Sequence, residues 1–156
     1  RLGKTAELLG ELPKESPFFY LMETARNLCL VLEKKADLGR EIRLAYSQED
    51  KETLQEIANI KIPVLLQRLQ DFYQSFRTQW NLENKSFGFE VQTVRIGGLL
   101  QRLKDVQEIL NAYLREEIPG IAELNEPQKA FHYFEQNEIR SLNYNLWTDI
   151  VSPSKI

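Results

Sequence analysis

Residues that break regular structure are scarce through the long middle of this 156-residue chain, and that spacing constrains its fold more than any other feature. Gly3, Gly10, Pro13 and Pro17 fall early, and Pro119, Gly120, Pro127 and Pro153 fall late. Between them stand only Gly39, Pro63, Gly88, Gly97 and Gly98. Such a distribution favours a few long helices.

The apolar pattern agrees. From Phe18 to Tyr46, the residues Leu21, Ala25, Leu28, Leu32, Ala36, Gly39, Ile42 and Tyr46 recur at three- and four-residue steps with charges between them, which predicts an amphipathic helix loosened at Gly39. Ser47 followed by Asp50 resembles a capping box with Asp in place of Glu, so a second helix is expected from near Gln48 towards Trp80, through Leu54, Ile57, Ile62, Leu65, Leu69, Phe72 and Phe76. Pro63 removes a donor inside that stretch and predicts a kink around Lys61 and Ile62. After a polar loop at Asn81 to Ser86, a third pattern runs Val91, Val94, Ile96, Leu99, Leu103, Val106, Leu110, Tyr113 and stops before Pro119. A short helix is expected near Pro127 to Asn137. No period-two alternation competes, so the fold class is all-α: three long amphipathic antiparallel helices in a bundle, with short C-terminal helical elements. Residues 1–17 read as an irregular lead-in and 18–156 as a single helical domain.

Charge and composition exclude several functions. Lys and Arg number 20 against 23 Asp and Glu, a formal charge of −3 that lacks the basic excess phosphate backbones select for, so no nucleic-acid partner is expected. The longest apolar runs, such as Leu28 to Leu32, are far short of the ~20 residues that span a bilayer, and no membrane partner is expected. One cysteine, Cys29, and one histidine, His132, give no cluster at metal-ligand spacing, so neither a metal site nor a cofactor is predicted. With no signal pattern at the start, the chain reads as cytoplasmic.

Each residue type able to do chemistry has a structural reading that outweighs the chemical one. Cys29 sits among Leu28, Leu30, Val31 and Leu32 and is expected in the core, whereas a reactive thiolate wants an electropositive, open setting. His132, between Phe131 and Tyr133, reads as packing or a surface hydrogen bond. The acidic pairs Glu49–Asp50 and Glu116–Glu117 are candidates for a glycosidic acid and base, yet they fall at helix ends, where capping and solvation explain them. No catalytic residue is assigned. Phe72, Tyr73 and Phe76 follow helical spacing and read as core, while Trp80, Phe87 and Phe89 flank the polar loop and keep a functional reading as an aromatic platform. Gly97-Gly98 is the least expected feature, since each Gly inside a helix costs about 0.8–1 kcal/mol relative to Ala. Close approach of another backbone, inside the domain or across an interface, would offset that cost.

The run Glu83-Asn84-Lys85-Ser86-Phe87-Gly88-Phe89-Glu90-Val91-Gln92, continuing through Arg95-Ile96-Gly97-Gly98-Leu99 to Arg102-Leu103, resembles a segment in the C-terminal helical region of certain bacterial family-20 glycoside hydrolases, the β-N-acetylhexosaminidases. There the segment reads Asn-Lys-Pro-Phe-Gly, then Gln, then Arg, an apolar residue and Gly-Gly; here Ser86 replaces the Pro. The closing Asn143-Tyr144-Asn145-Leu146-Trp147, followed by Ser152, is similar to the end of such chains. The resemblance implies a parent enzyme whose upstream (β/α)8 barrel uses an Asp-Glu pair in substrate-assisted hydrolysis of N-acetylhexosamine glycosides. None of those catalytic positions maps onto this all-helical chain, which is too short to hold such a barrel. The chain opens on Arg1, and the lead-in is expected to come from that upstream catalytic domain. The implied role is a non-catalytic domain packed on the barrel, with a homodimer contact as a further expectation. Trp80, Asn84, Lys85, Phe87, Phe89, Glu90, Gln92, Arg95, Gly97 and Gly98 form the candidate interface. The rival is a freestanding helical interaction or regulatory module with a groove for a partner helix.

Overall fold

The spacing of the long central helices carries directly into the architecture. The computed structural model describes residues 1–126, and among these it contains helices and no strand. In chain order the elements are α1 (Leu2–Gly10), α2 (Phe19–Lys35), α3 (Leu38–Ser47), α4 (Lys51–Glu56), a π-helical turn (Ile57–Lys61), α5 (Ile62–Glu83), α6 (Phe89–Leu114) and α7 (Ala122–Asn125). The short helix expected at Pro127 to Asn137 and the residues His132 and Trp147 lie outside the described residues.

The contacts run in opposite order along neighbouring helices, which establishes the antiparallel packing. Tyr20 Oη donates to Glu83, Asn27 Nδ2 to Ser75 Oγ at 3.1 Å, and Arg68 to Glu33, so rising numbers on α2 meet falling numbers on α5. On the other side of α5, Tyr73 meets Thr93, and Gln107 on α6 reaches Ala58 in the π turn. α5 is therefore central, with α2 and α6 flanking it and α1 outside α2. Residues 1–17 are not wholly irregular. Leu2–Gly10 form α1, whose Gly3 and Gly10 lie beside the Glu33 carboxylate and the Arg26 guanidinium of α2.

The first long helix divides at Ala36 and Asp37, ahead of Gly39, which sits inside α3 in open space. The cap of the second is Asp50, whose carboxylate accepts from Thr53 N–H at 3.0 Å and Thr53 Oγ1 at 2.7 Å, while Ser47 Oγ turns back to the Leu44 carbonyl. Pro63 has neither broken the helix nor simply bent it. Just before it the hydrogen bonding widens, with Ile62 N–H donating to Ile57 O, five residues back. The five-residue partner of the Ala58 carbonyl would then be Pro63, which has no N–H. Gln107 Nε2 supplies that donor from α6 at 2.7 Å, to a residue that is fully buried.

The core lies around this turn. Leu54, Ile57, Ala58, Ile62 and Leu65 are 0% exposed, and Leu38, Ile42, Ala45, Leu103, Leu110 and Ile121 close over them. Towards the other end, the α2–α5 seam is polar. Thr24, Asn27 and Ser75 are buried there, and the row Leu21, Ala25, Leu28, Leu32 is not: Leu28 remains 39% and Leu32 37% exposed. Cys29, expected in the core, is only half-buried, because the side of α2 that meets α5 is the Tyr20, Thr24, Asn27, Val31 row.

Candidate functional site

The candidate interface residues gather around the α5–α6 connection, and local chemistry explains its shape. Asn84 is extended (φ −131°) and ends α5, its N–H donating to Trp80 O at 2.8 Å. The Trp80 indole Nε1–H donates to Lys85 O at 2.9 Å, which ties the loop to the last turns of α5. Gly88 then takes φ +95°, a left-handed conformation that L side chains rarely adopt, and a Cβ there would also lie 3.3 Å from the Trp80 ring. Its N–H donates to Glu90 Oε2 at 2.8 Å, so Glu90 satisfies an open donor at the start of α6.

Beneath this loop lies an aromatic cluster. Phe89 is 7% exposed, with its ring centroid 5.6 Å from both Tyr73 and Phe76 and 5.8 Å from Trp80. Phe89 and Trp80 thus brace the loop, and the flat aromatic platform they were expected to offer is largely spent on each other. Phe87 does the opposite. It is 87% exposed, at the tip of a braced loop, and Leu82 (65%) and Phe18 (59%) are exposed at the same end, which the Tyr20–Glu83 contact defines. Apolar side chains held out to water on a fixed backbone are anchors a partner can use without ordering cost.

The remaining candidates divide between two sides of α6. Gln92 and Arg95 are half-buried and lie on the side that continues down to Val106. Gly97 and Gly98 are exposed, and among the described residues no atom lies within 4 Å of a Cβ built on either. Packing among the described residues therefore does not require them. Asn84 and Lys85 are exposed in the loop. The sequence had no signal for Leu82 and Phe18 as members of this end, since Leu82 fell in the stretch read as a polar loop, though α5 runs to Glu83, and Phe18 at the start of the first helix, until the antiparallel pairing brings them together.

Three of the four residues in the acidic pairs, Asp50, Glu116 and Glu117, have structural occupations. Thr53 holds the Asp50 carboxyl below its ordinary range by hydrogen bonding, Lys51 does the same to Glu116 from 2.8 Å, and Arg115 to Glu117 through two hydrogen bonds. A general acid at neutral pH needs its affinity for the proton raised, and all three shifts run the other way. Among the described residues there is no group of His, Cys, Asp and Glu able to hold a metal ion, and no helix is long and apolar enough to cross a membrane.

Comparison with known proteins gives the family. No curated protein matches the chain. The family model described as the Glycoside Hydrolase 20C C-terminal domain matches residues 3–143, taking in α1 through α7 and the whole candidate interface. With nearly all of its length matched, the chain belongs to the Glycoside Hydrolase 20C C-terminal domain family.

Proposed function

We propose that this chain is the non-catalytic helical domain of a β-N-acetylhexosaminidase-like glycosidase, packing on an upstream catalytic barrel that hydrolyses N-acetylhexosamine glycosides. The family match over residues 3–143 carries the reading. Two features of the surface support it. The apolar end formed by Phe18, Leu82 and Phe87 and the bare backbone at Gly97 and Gly98 are both unexplained by contacts within the described residues. A partner seated there would account for each, since it would bury the apolar groups and use the close approach that glycine permits. Within that contact Phe87 is the anchor, Asn84, Lys85 and Glu90 form a polar rim, and the glycines admit a neighbouring backbone. A homodimer contact is the second use such a surface serves.

The test is made on the native polypeptide that contains this domain, assayed with a chromogenic N-acetyl-β-glucosaminide, alongside this chain by itself. Hydrolysis by the native polypeptide is expected, with thermal inactivation at lower temperature after Phe87→Ser or Gly98→Leu, and no turnover by this chain alone. A native polypeptide that starts near Arg1 and folds as an independent unit would favour the rival interaction module. Turnover by this chain alone would also overturn the reading.

A further inference from the structure

The seam between α3 and α6 is not fully filled. Ile42 of α3, Val106, Ile109 and Leu110 of α6, and Ile121 and Leu124 from the stretch that forms α7 line a cavity of about 230 Å³ that opens to the surface. Its floor belongs to the core, since Ile42, Leu110 and Ile121 are buried members of the main apolar cluster. Gly39, Arg43 and Leu124 line this cavity and also a more open hollow beside it, which Arg40, Tyr46 and Ser47 complete. The two spaces therefore share a boundary. Gly39, on that boundary, is exposed, and a Cβ built there would meet no described atom within 4 Å, so no side chain stands in the passage at that position.

The two spaces differ in chemistry. The cavity presents aliphatic carbon, and the hollow presents the guanidinium groups of Arg40 and Arg43, three residues apart and so neighbours on one face of α3. Arg43 spends one N–H on the Leu124 carbonyl at 3.4 Å, Arg40 is exposed, and among the described residues neither is in an ion pair. Glu123, the acid that lines the cavity, is already paired with Arg102. The hydroxyls of the hollow are occupied as well. Tyr46 Oη accepts from Ile121 N–H at 3.0 Å and donates to Asn125 Oδ1 at 2.9 Å, and Ser47 Oγ donates to the Leu44 carbonyl. The hydrogen-bonding capacity left open there is cationic, and the same Tyr46 contacts hold the stretch 121–125 in place over the cavity.

We infer that the cavity and the hollow form one binding site for a small amphiphilic anion, its aliphatic body among Ile42, Val106 and Ile109 and its charged head at Arg40 and Arg43. Volume selects a small molecule over a partner helix. A single helical turn, about 10 Å across and 5.4 Å high, fills about 420 Å³, more than the cavity holds. A space equal to on the order of eight waters suits a short alkyl chain, and a cavity lined by aliphatic side chains takes up such groups in preference to water. Apolar burial supplies the affinity, and the guanidinium pair fixes which end of the ligand stays at the mouth. The site uses no residue of the Phe87 end, so this inference stands independently of the proposed enzyme.

The full 156-residue chain tests it by calorimetric titration with octanoate, and with 1-octanol as the uncharged analogue. One saturable site for octanoate is expected. Gly39→Leu, which builds a side chain into the passage, and Ile109→Trp, which fills the cavity from α6, are each expected to weaken octanoate by about tenfold or more. Circular dichroism checks that each variant keeps its helices, and two fillings from different helices keep the test decisive should one fail to fold. Arg40→Gln combined with Arg43→Gln is expected to weaken octanoate by roughly tenfold and to change 1-octanol by less than about twofold. Absence of saturable octanoate binding overturns the inference. So does binding that survives both filling variants and is lost in Phe87→Ser, which assigns the probe to the exposed apolar end, and so does equal weakening of octanoate and 1-octanol in the arginine variant, which removes the anion from the proposal.

Discussion

The two ends of this helical domain are built on different physics. Around the π turn, residues from α3, α4, α5, α6 and the stretch before α7 close over Leu54, Ile57, Ile62 and Leu65, which no water reaches. Around the α5–α6 loop, α2, α5 and α6 meet along a polar seam and an aromatic cluster, while Leu28, Leu32, Leu82 and Phe87 face outward. Burial at the first end comes from many elements converging, and exposure at the second from helices standing side by side. The difference teaches where to look for stability and where for contact, since an apolar group left in water contributes little to folding and much to association.

Truncation gives the widest separation between the two ends. Leu54→Ala or Leu103→Ala is expected to cost about 2–5 kcal/mol, the lost transfer energy plus a cavity in a close-packed site. Leu28→Ala, on the exposed row, is expected to cost about 1 kcal/mol or less. Urea denaturation of the three variants checks this, and similar losses at Leu54 and Leu28 would break the comparison.

The next effect isolates the π turn. Gln107→Ala leaves the buried Ala58 carbonyl without its donor and is expected to cost about 1–3 kcal/mol. Pro63→Ala restores a backbone N–H at the position that lacks one, so the loss from Gln107→Ala should shrink in that background. A double-mutant cycle reads the coupling directly. Additive losses would show that Gln107 stabilises through packing and not through that carbonyl.

How far the sequence disclosed these two ends depends on what each is made of. The closed end follows hydrophobic periodicity, and Leu54, Ile57, Ile62, Leu65, Leu103 and Leu110 were all legible as core. Pro63 announced a disturbance at the right place, but its form depended on Gln107, 44 positions later, and no local rule supplies such a partner. At the open end periodicity misled. Leu21, Ala25, Leu28 and Leu32 are the most apolar row of α2, yet Thr24 and Asn27 face α5, because the buried Asn27–Ser75 hydrogen bond satisfies that seam. Gly3 and Gly10 read as breakers, yet both lie inside α1. The loop was marked by its residues, whereas the division of labour between a buried Phe89 and an exposed Phe87, two positions apart, came from the left-handed turn at Gly88.

A smaller change tests the glycine pair. Gly97→Ala and Gly98→Ala meet open space, and each is expected to stabilise the chain by about 0.8–1 kcal/mol, the propensity gain of an exposed helix interior. A rise in Tm for each variant checks this. If the glycines serve an interface, the same changes weaken association in the native polypeptide while strengthening the isolated domain. Destabilisation of the isolated domain would mean that a backbone beyond the described residues lies against α6.

The smallest effect separates charge from shape at the closed end. Asn is as good a helix cap as Asp and presents an oxygen to the Thr53 N–H, so Asp50→Asn retains the geometry and removes the negative charge from the start of α4. In the folded chain the hydrogen bonds from Thr53 hold the Asp50 carboxyl below its ordinary value, so folding favours the ionised form. The stability this provides is fully present above the unfolded pKa of about 3.9 and is lost as pH falls through the lower folded value. The wild-type chain is therefore expected to exceed Asp50→Asn in stability at neutral pH and to lose that margin below about pH 4. Glu33, Glu116 and Glu117 are also lowered, by Arg68, Lys51 and Arg115, and titrate in the same acid range. Their contribution is common to both chains and cancels in the difference. A margin that stays constant from neutral pH down into that range would show that the cap acts through shape alone.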